Sequence, residues 1–206
     1  MFITFEGGEG SGKSTVINKL YDYLSNLGYD VMYTREPGGS KFAEEIRSLI
    51  FNYDTDPLTE MLLFAAARRD HINSIIKPAL NENKIVLCDR FIDSSLVYQG
   101  MLSSSQDIYN EVEEINKLVI DSNDLIDLTI LLDIDPHIGL NRIKLNNRET
   151  NSYDNRDIDF HKKVRKGYLN LSNKYKRINI IDANQSKDVI FNECINIIEQ
   201  KLDGLK

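Results

Sequence analysis

The run Gly7-Gly8-Glu9-Gly10-Ser11-Gly12-Lys13-Ser14, set directly after the short apolar stretch Phe2-Ile3-Thr4-Phe5, constrains this chain more than any other feature. Its glycines let the backbone curl until successive N–H groups face inward onto phosphate oxygens. The helix that opens next adds the partial positive charge of its N-terminus. In such a loop Lys13 reaches the β and γ phosphates of a nucleoside triphosphate, and the Ser14 hydroxyl is offered to Mg²⁺. A glycine-rich turn between strand and helix is the plain alternative, but strand, loop and helix follow in the order that phosphate binding requires. The residues expected at the triphosphate are therefore Gly7, Gly8, Glu9, Gly10, Ser11, Gly12, Lys13, Ser14 and Thr15.

Beyond the loop, Val16, Leu20, Leu24 and Leu27 keep a helical period that ends near Gly28. Residues 31–34 read as a second strand, 35–39 as a turn-rich loop and 44–51 as a helix. Two further helices, 58–69 and 71–81, are separated or kinked near Asp70. Apolar strands are expected at 85–88, 128–132 and 178–181, with long helices between them. This alternation predicts a three-layer α/β/α fold around a mostly parallel, five-stranded sheet. The chain has no internal repeat, and its polar stretch 145–157 reads as a mobile segment.

A length of 206 residues suits one domain over 1–206. With a net charge of -7, the chain lacks the basic balance of a nucleic-acid binder. Local arginines still permit a small phosphorylated ligand. Met1 leads straight into the first strand, and no apolar run reaches membrane-spanning length, so a cytoplasmic protein with no membrane partner is expected. Cys88 and Cys194 suit reduced core residues better than a disulfide, and neither has a neighbour at metal spacing.

In open α/β sheets, ligands bind beyond the carboxyl ends of the strands. Arg35 to Gly39 and Asp89-Arg90 fall there beside the phosphate loop. Asp89 suits a Mg²⁺ partner, directly or through water, or else a cap for the next segment. Arg90 could bridge donor and acceptor phosphates or form an ion pair with Asp89. Phe64 and Arg68, four apart, share a helix face and could stack on and hydrogen-bond a base, although a lone helical Phe is usually core. Ser95, Tyr98 and Gln99 share another face, following Asp93-Ser94 as a helix start, and could equally form a solvated face.

The series from Phe5 to Thr15, Arg35-Glu36-Pro37-Gly38-Gly39, Leu63-Phe64-Ala65-Ala66-Ala67-Arg68, Asp89-Arg90-Phe91 and Asp93-Ser94-Ser95-Leu96-Val97-Tyr98-Gln99-Gly100 resembles bacterial thymidylate kinase, through nearly the whole chain. The resemblance implies a P-loop kinase, commonly a homodimer, that transfers the γ-phosphoryl of ATP to dTMP with Mg²⁺ held at Ser14 and Asp89. It also implies that Phe64 stacks on thymine, that Arg68 bonds its O4, and that Ser95 with Gln99 reads the remaining edge. Glu9 would meet the 3′-hydroxyl, and Tyr98 would crowd the 2′ position. Arg35 and Arg90 would hold the dTMP phosphate, with Ser94 beside them. Ala183 and Asn184, in the loop after the last strand, match the adenine side, and Arg142 is expected there too. Lys13, Arg35, Arg90 and Arg148 form the expected catalytic set.

Departures from the family pattern gather around a lid at about 142–157. Gly10 stands where one branch carries an arginine, so the extra cation is expected from the lid, where Arg148 matches best. Ser152 replaces a second lid arginine before Tyr153-Asp154. Arg156 could substitute, although Arg142, Lys144 and Arg156 could equally be solvated helix charges. Two other classes fit less well. A nucleoside kinase would not need Arg35 for a second phosphate, and a GTPase-type switch would carry an Asn-Lys-x-Asp motif that is missing here.

Overall fold

The computed structural model describes residues 1–103, 105–121, 125–145 and 153–204. Five strands, β1 (Phe2–Glu6), β2 (Val31–Arg35), β3 (Ile85–Asp89), β4 (Leu128–Asp133) and β5 (Ile178–Asp182), form one sheet in the order β2-β3-β1-β4-β5. Every neighbouring pair is parallel. The three central strands are apolar almost throughout because helices cover both of their faces. The outer strands β2 and β5 are only partly buried, each mixing buried, half-buried and exposed positions.

Successive side chains point to opposite faces, so each strand feeds two cores. Ile3, Phe5, Leu87 and Ile130 pack with α1 (Lys13–Asn26) and α9 (Lys187–Asp203). On the other face Phe2, Val86, Cys88 and Leu131 pack with α3 (Pro57–His71), α6 (Gln106–Ile120) and α8 (Ile158–Lys174). Burying each of the Ile, Leu, Val and Phe side chains among these contributes roughly 1.5–3 kcal/mol before entropy is counted. Cys88 and Cys194 are free thiols, one in each core.

The helix pair expected on either side of Asp70 is one continuous helical path. Asp56 caps α3, accepting from the Leu58 and Thr59 amides, and Pro57 opens its first turn. After His71 the turn widens to π geometry over Ile72–Ile76 and continues as α4 (Lys77–Asn81). The ring of Pro78 would strike the carbonyl four residues back in a regular α-helix, and the wider turn accommodates it. The helix expected from Asp93-Ser94 also differs. The short α5 (Ile92–Ser95) gives way to a π turn over Leu96–Met101, and Asp93 lies inside α5, paired with Arg177, rather than capping it.

At β1 the strand order reverses, since β2 and β3 lie on one side and β4 and β5 on the other. The carboxyl ends of β1, β2 and β3 therefore bring Gly7, Glu36 and Arg90 to one rim, where this topology places ligands.

Candidate active site

A cavity of about 750 Å³ opens along this rim. Its size falls in the upper part of the range of roughly 300–1,000 Å³ seen for small-molecule sites. One end is lined by Gln185, Ser186 and Lys187 at the start of α9 together with Arg142 of α7 (Pro136–Leu145). The floor is residues 9–16 of the phosphate loop and α1, and the far end holds Phe64, Arg68, Ser95, Tyr98 and Gln99.

Lys13 is buried, and its ammonium donates to the Gly7 carbonyl at 3.0 Å, the Gly8 carbonyl at 3.2 Å and Ser11 Oγ at 3.3 Å. Burial, reinforced by nearby Arg90, lowers its pKa to about 8, against the pull of Asp89 and the two glutamates. Ser14 Oγ donates to Asp89 Oδ2 at 2.8 Å, so two hard oxygen ligands face the cavity side by side. That donor set suits Mg²⁺.

Arg90 sits at the carboxyl end of β3 with a left-handed backbone, φ 68°. It does not pair with Asp89. Its Nη2 donates to Glu9 Oε1 at 2.7 Å, and its Nη1 donates to Ser94 Oγ at 3.2 Å and Tyr168 OH at 3.0 Å. Beneath it Glu6 accepts from the Phe91 amide at 2.8 Å, Ser94 Oγ at 2.7 Å and Tyr168 OH at 3.0 Å. Burial, and then the neighbouring Asp93, raise the Glu6 carboxyl to about 7. Tyr98 OH also donates to Glu9 Oε1, at 3.1 Å, and burial holds that phenol protonated.

Arg35 reaches the cavity while its Nη2 donates to both oxygens of Glu44, at 3.2 and 3.1 Å. Arg47 stands beside it, its Nη1 donating to the Pro37 carbonyl at 2.7 Å. Arg68 is 2% exposed and held on three sides, with Nε 2.7 Å from Glu36 Oε2, Nη1 2.7 Å from Asn116 Oδ1 and Nη2 3.0 Å from Ser95 Oγ. Glu36 also meets His71 Nδ1 at 3.1 Å, and His71 Nε2 lies 2.7 Å from Thr34 Oγ1. Ser95 and Gln99 are buried rather than solvated.

A family model described as thymidylate kinase matches residues 5–194. The chain belongs to the thymidylate kinase family. The thymidylate kinase of Geobacillus thermodenitrificans is 47% identical over 210 residues, covering 100% of this chain and 92% of that one. Its counterpart from Clostridium novyi is 49% identical over 197 residues, covering 93% and 95%. The crystal structure of the Ehrlichia chaffeensis thymidylate kinase superposes with a TM-score of 0.76 at 36% identity, covering 96% of this chain and 98% of that one.

Set against the thymidylate kinase pattern, most of the expected residues converge on the cavity. Glu9, Gly10, Ser11, Gly12, Lys13, Ser14, Thr15, Arg35, Phe64, Arg68, Asp89, Arg90, Ser94, Ser95, Tyr98, Gln99 and Arg142 all line it. Gly7, Gly8, Ala183 and Asn184 do not line it; the Gly7 and Gly8 carbonyls accept from Lys13 Nζ, and the Ala183 carbonyl accepts from Arg142 Nη1 at 3.0 Å. Arg148 and Ser152 lie outside the described residues. Arg156 does not line the cavity; its guanidinium lies 5.0 Å from the centre of the Phe160 ring.

Residues that sequence reasoning missed include Arg47, whose only signal was being a basic residue in a helix after the Arg35 loop, and Glu6, a carboxylate ending an apolar strand. Tyr153 was noted only as the neighbour of Ser152. It lines the cavity, donating its hydroxyl to Glu60 and meeting the Tyr98 ring edge-on at 5.3 Å.

Proposed function

We propose that the protein transfers the γ-phosphoryl of ATP to dTMP, giving dTDP and ADP. The observation that carries this reading is one continuous cavity that has the phosphate loop in its floor and is lined as well by Phe64, Arg68 and Arg90. ATP would lie with its adenine toward Arg142 and Gln185 and its phosphates on the loop. At the other end dTMP would stack on Phe64, offer O4 to Arg68 and present its 3′-hydroxyl to Glu9, with Tyr98 crowding the 2′ position.

Phosphoryl transfer asks for two anions held in line and neutralised more than for a covalent catalyst. Lys13 would hold the β and γ phosphates. Arg35, Arg47 and Arg90 would hold the acceptor phosphate, exchanging Glu44, the Pro37 carbonyl and Glu9 for phosphate oxygens. Ser14 and Asp89 would hold Mg²⁺, which when bound neutralises charge on the ATP phosphates.

Residues 1–206 would act as one kinase unit, with the lid at 142–157 covering the γ-phosphate and Arg148 as its expected cation. Phe42, Leu49, Leu58 and Leu62 stand exposed on α2 (Lys41–Asn52) and α3, which supports the homodimer expected of the family. No described helix is long and apolar enough to cross a membrane. A cytoplasmic site of action accompanies the proposal because its donor, ATP, is maintained inside cells. Phosphorus NMR of a mixture of ATP, Mg²⁺ and dTMP tests the reaction. Equal growth of dTDP and ADP resonances is expected, and growth of inorganic phosphate with dTMP unchanged would refute it.

A further inference from the structure

Asn116 sits on α6 at 3% exposure, inside the core, with its two amide ends treated differently. Its Oδ1 accepts from Arg68 Nη1 at 2.7 Å, whereas its Nδ2 has no hydrogen-bond partner among the described residues. Arginine has only donors, so the atom facing it must be the oxygen, and rotating the amide would set donor against donor. A core position that keeps a polar side chain with half of its capacity unmet is costly, and such groups need a reason. Leu or Met would fill the space without leaving an orphan N–H₂.

That reason lies in how Arg68 is held. Among the described residues, Nε goes to Glu36, the Nη2 hydrogens are shared by Ser95 Oγ at 3.0 Å and the Phe91 carbonyl at 3.4 Å, and one Nη1 hydrogen goes to Asn116. Four of its five N–H groups are then committed, and the one remaining is on Nη1, the nitrogen Asn116 grips. Glu36 and Asn116 hold different corners of the planar guanidinium and so set its plane. We propose that Asn116 is a positioning residue for base selection: it orients Arg68 so that its last N–H is presented to the carbonyl at the 4-position of the acceptor base. This rests on the reading of Arg68 as the base-reading residue.

Asn116→Leu removes the acceptor oxygen, Asn116→Ala does so with less demand on the core, and Asn116→Asp keeps the oxygen while dispensing with the orphan amide. With either apolar variant, KM for dTMP is expected to rise about tenfold, the equivalent of one lost hydrogen bond to a charged group, with KM for ATP unchanged. Asn116→Asp should restore KM for dTMP to within about threefold of the parent. In an Arg68→Met background, Asn116→Leu should have no further effect on KM for dTMP. A structural role would instead move both KM values, or lower Tm alone, and either result would overturn the proposal. Arg68→Met with unchanged KM for dTMP would overturn the reading of Arg68 itself. Arg68→Met with a raised KM, alongside unaltered Asn116→Leu and Asn116→Ala proteins, would overturn the role of Asn116 alone.

Discussion

Arg90 Nη2 lies 2.7 Å from Glu9 Oε1, and Tyr98 OH donates to the same oxygen at 3.1 Å, so one carboxylate of the phosphate loop ties together the Arg90 guanidinium and the Tyr98 phenol. Removing the phenol hydroxyl should loosen Glu9 without disturbing the ring. Tyr98→Phe is expected to lower the kcat/KM preference for dTMP over ribothymidine 5′-monophosphate by about tenfold, roughly 1.4 kcal/mol. Tm should stay unchanged. Kinetics unaltered from the parent with both nucleotides would remove Tyr98 from sugar selection.

Lys13 carries the phosphate-loop assignment. Lys13→Ala should abolish turnover while leaving the circular dichroism spectrum as it is, since the side chain bonds chiefly to its own loop. Parent-level activity in that variant would sink the assignment.

The pKa of Lys13 also predicts a pH dependence. Below about 8 the ammonium is charged and can take phosphates, and above that it is lost from the free protein. Bound phosphates favour the charged form and carry the titration upward. The ratio kcat/KM for ATP, which reports the free protein, should fall above about pH 8, whereas kcat should hold to higher pH. A kcat/KM profile still level well beyond that point would contradict the burial argument.

Glu6 makes a stability prediction of definite sign. Its carboxyl titrates at about 7 in the fold against an ordinary 4.5, so the folded state binds the proton more tightly than the unfolded chain. Stability should therefore decline as pH rises through that window. Urea denaturation of Glu6→Gln at several pH values should show a shallower decline than the parent. Parallel curves would show that Glu6 titrates normally.

Gly10 tests the packing of the loop against α7. Its φ of +72° is left-handed, and a Cβ there would lie 2.1 Å from the Gly139 carbonyl oxygen. Gly10→Ala should destabilise by at least about 1–3 kcal/mol from backbone strain alone, read from the denaturation midpoint. An arginine at this position would meet the same obstacle.

The parts of the fold that sequence made legible were those encoded locally. The phosphate loop, the buried central strands and the Phe64/Arg68 face each follow from neighbours within a few residues. The π turns after His71 and Ser95 did not, because a widened turn preserves apolar spacing closely enough to pass for an ordinary helix. Nor did the supports of the site. Glu6 reaches Tyr168, 162 positions away, and Arg68 reaches Asn116, 48 positions away, through contacts that only the tertiary fold creates. Arg47 was hidden for the same reason, since α2 brings it to Arg35 only once β2 and its loop are in place.

The most direct test of the account is ADP production with Mg²⁺-ATP and dTMP, thymidine or CMP offered separately. The proposal predicts rapid turnover with dTMP and little with the other two, since thymidine lacks the phosphate that Arg35, Arg47 and Arg90 would hold and CMP lacks the 4-carbonyl that Arg68 would read. Turnover with thymidine equal to or above that with dTMP, or no acceptor-dependent turnover at all, would contradict it.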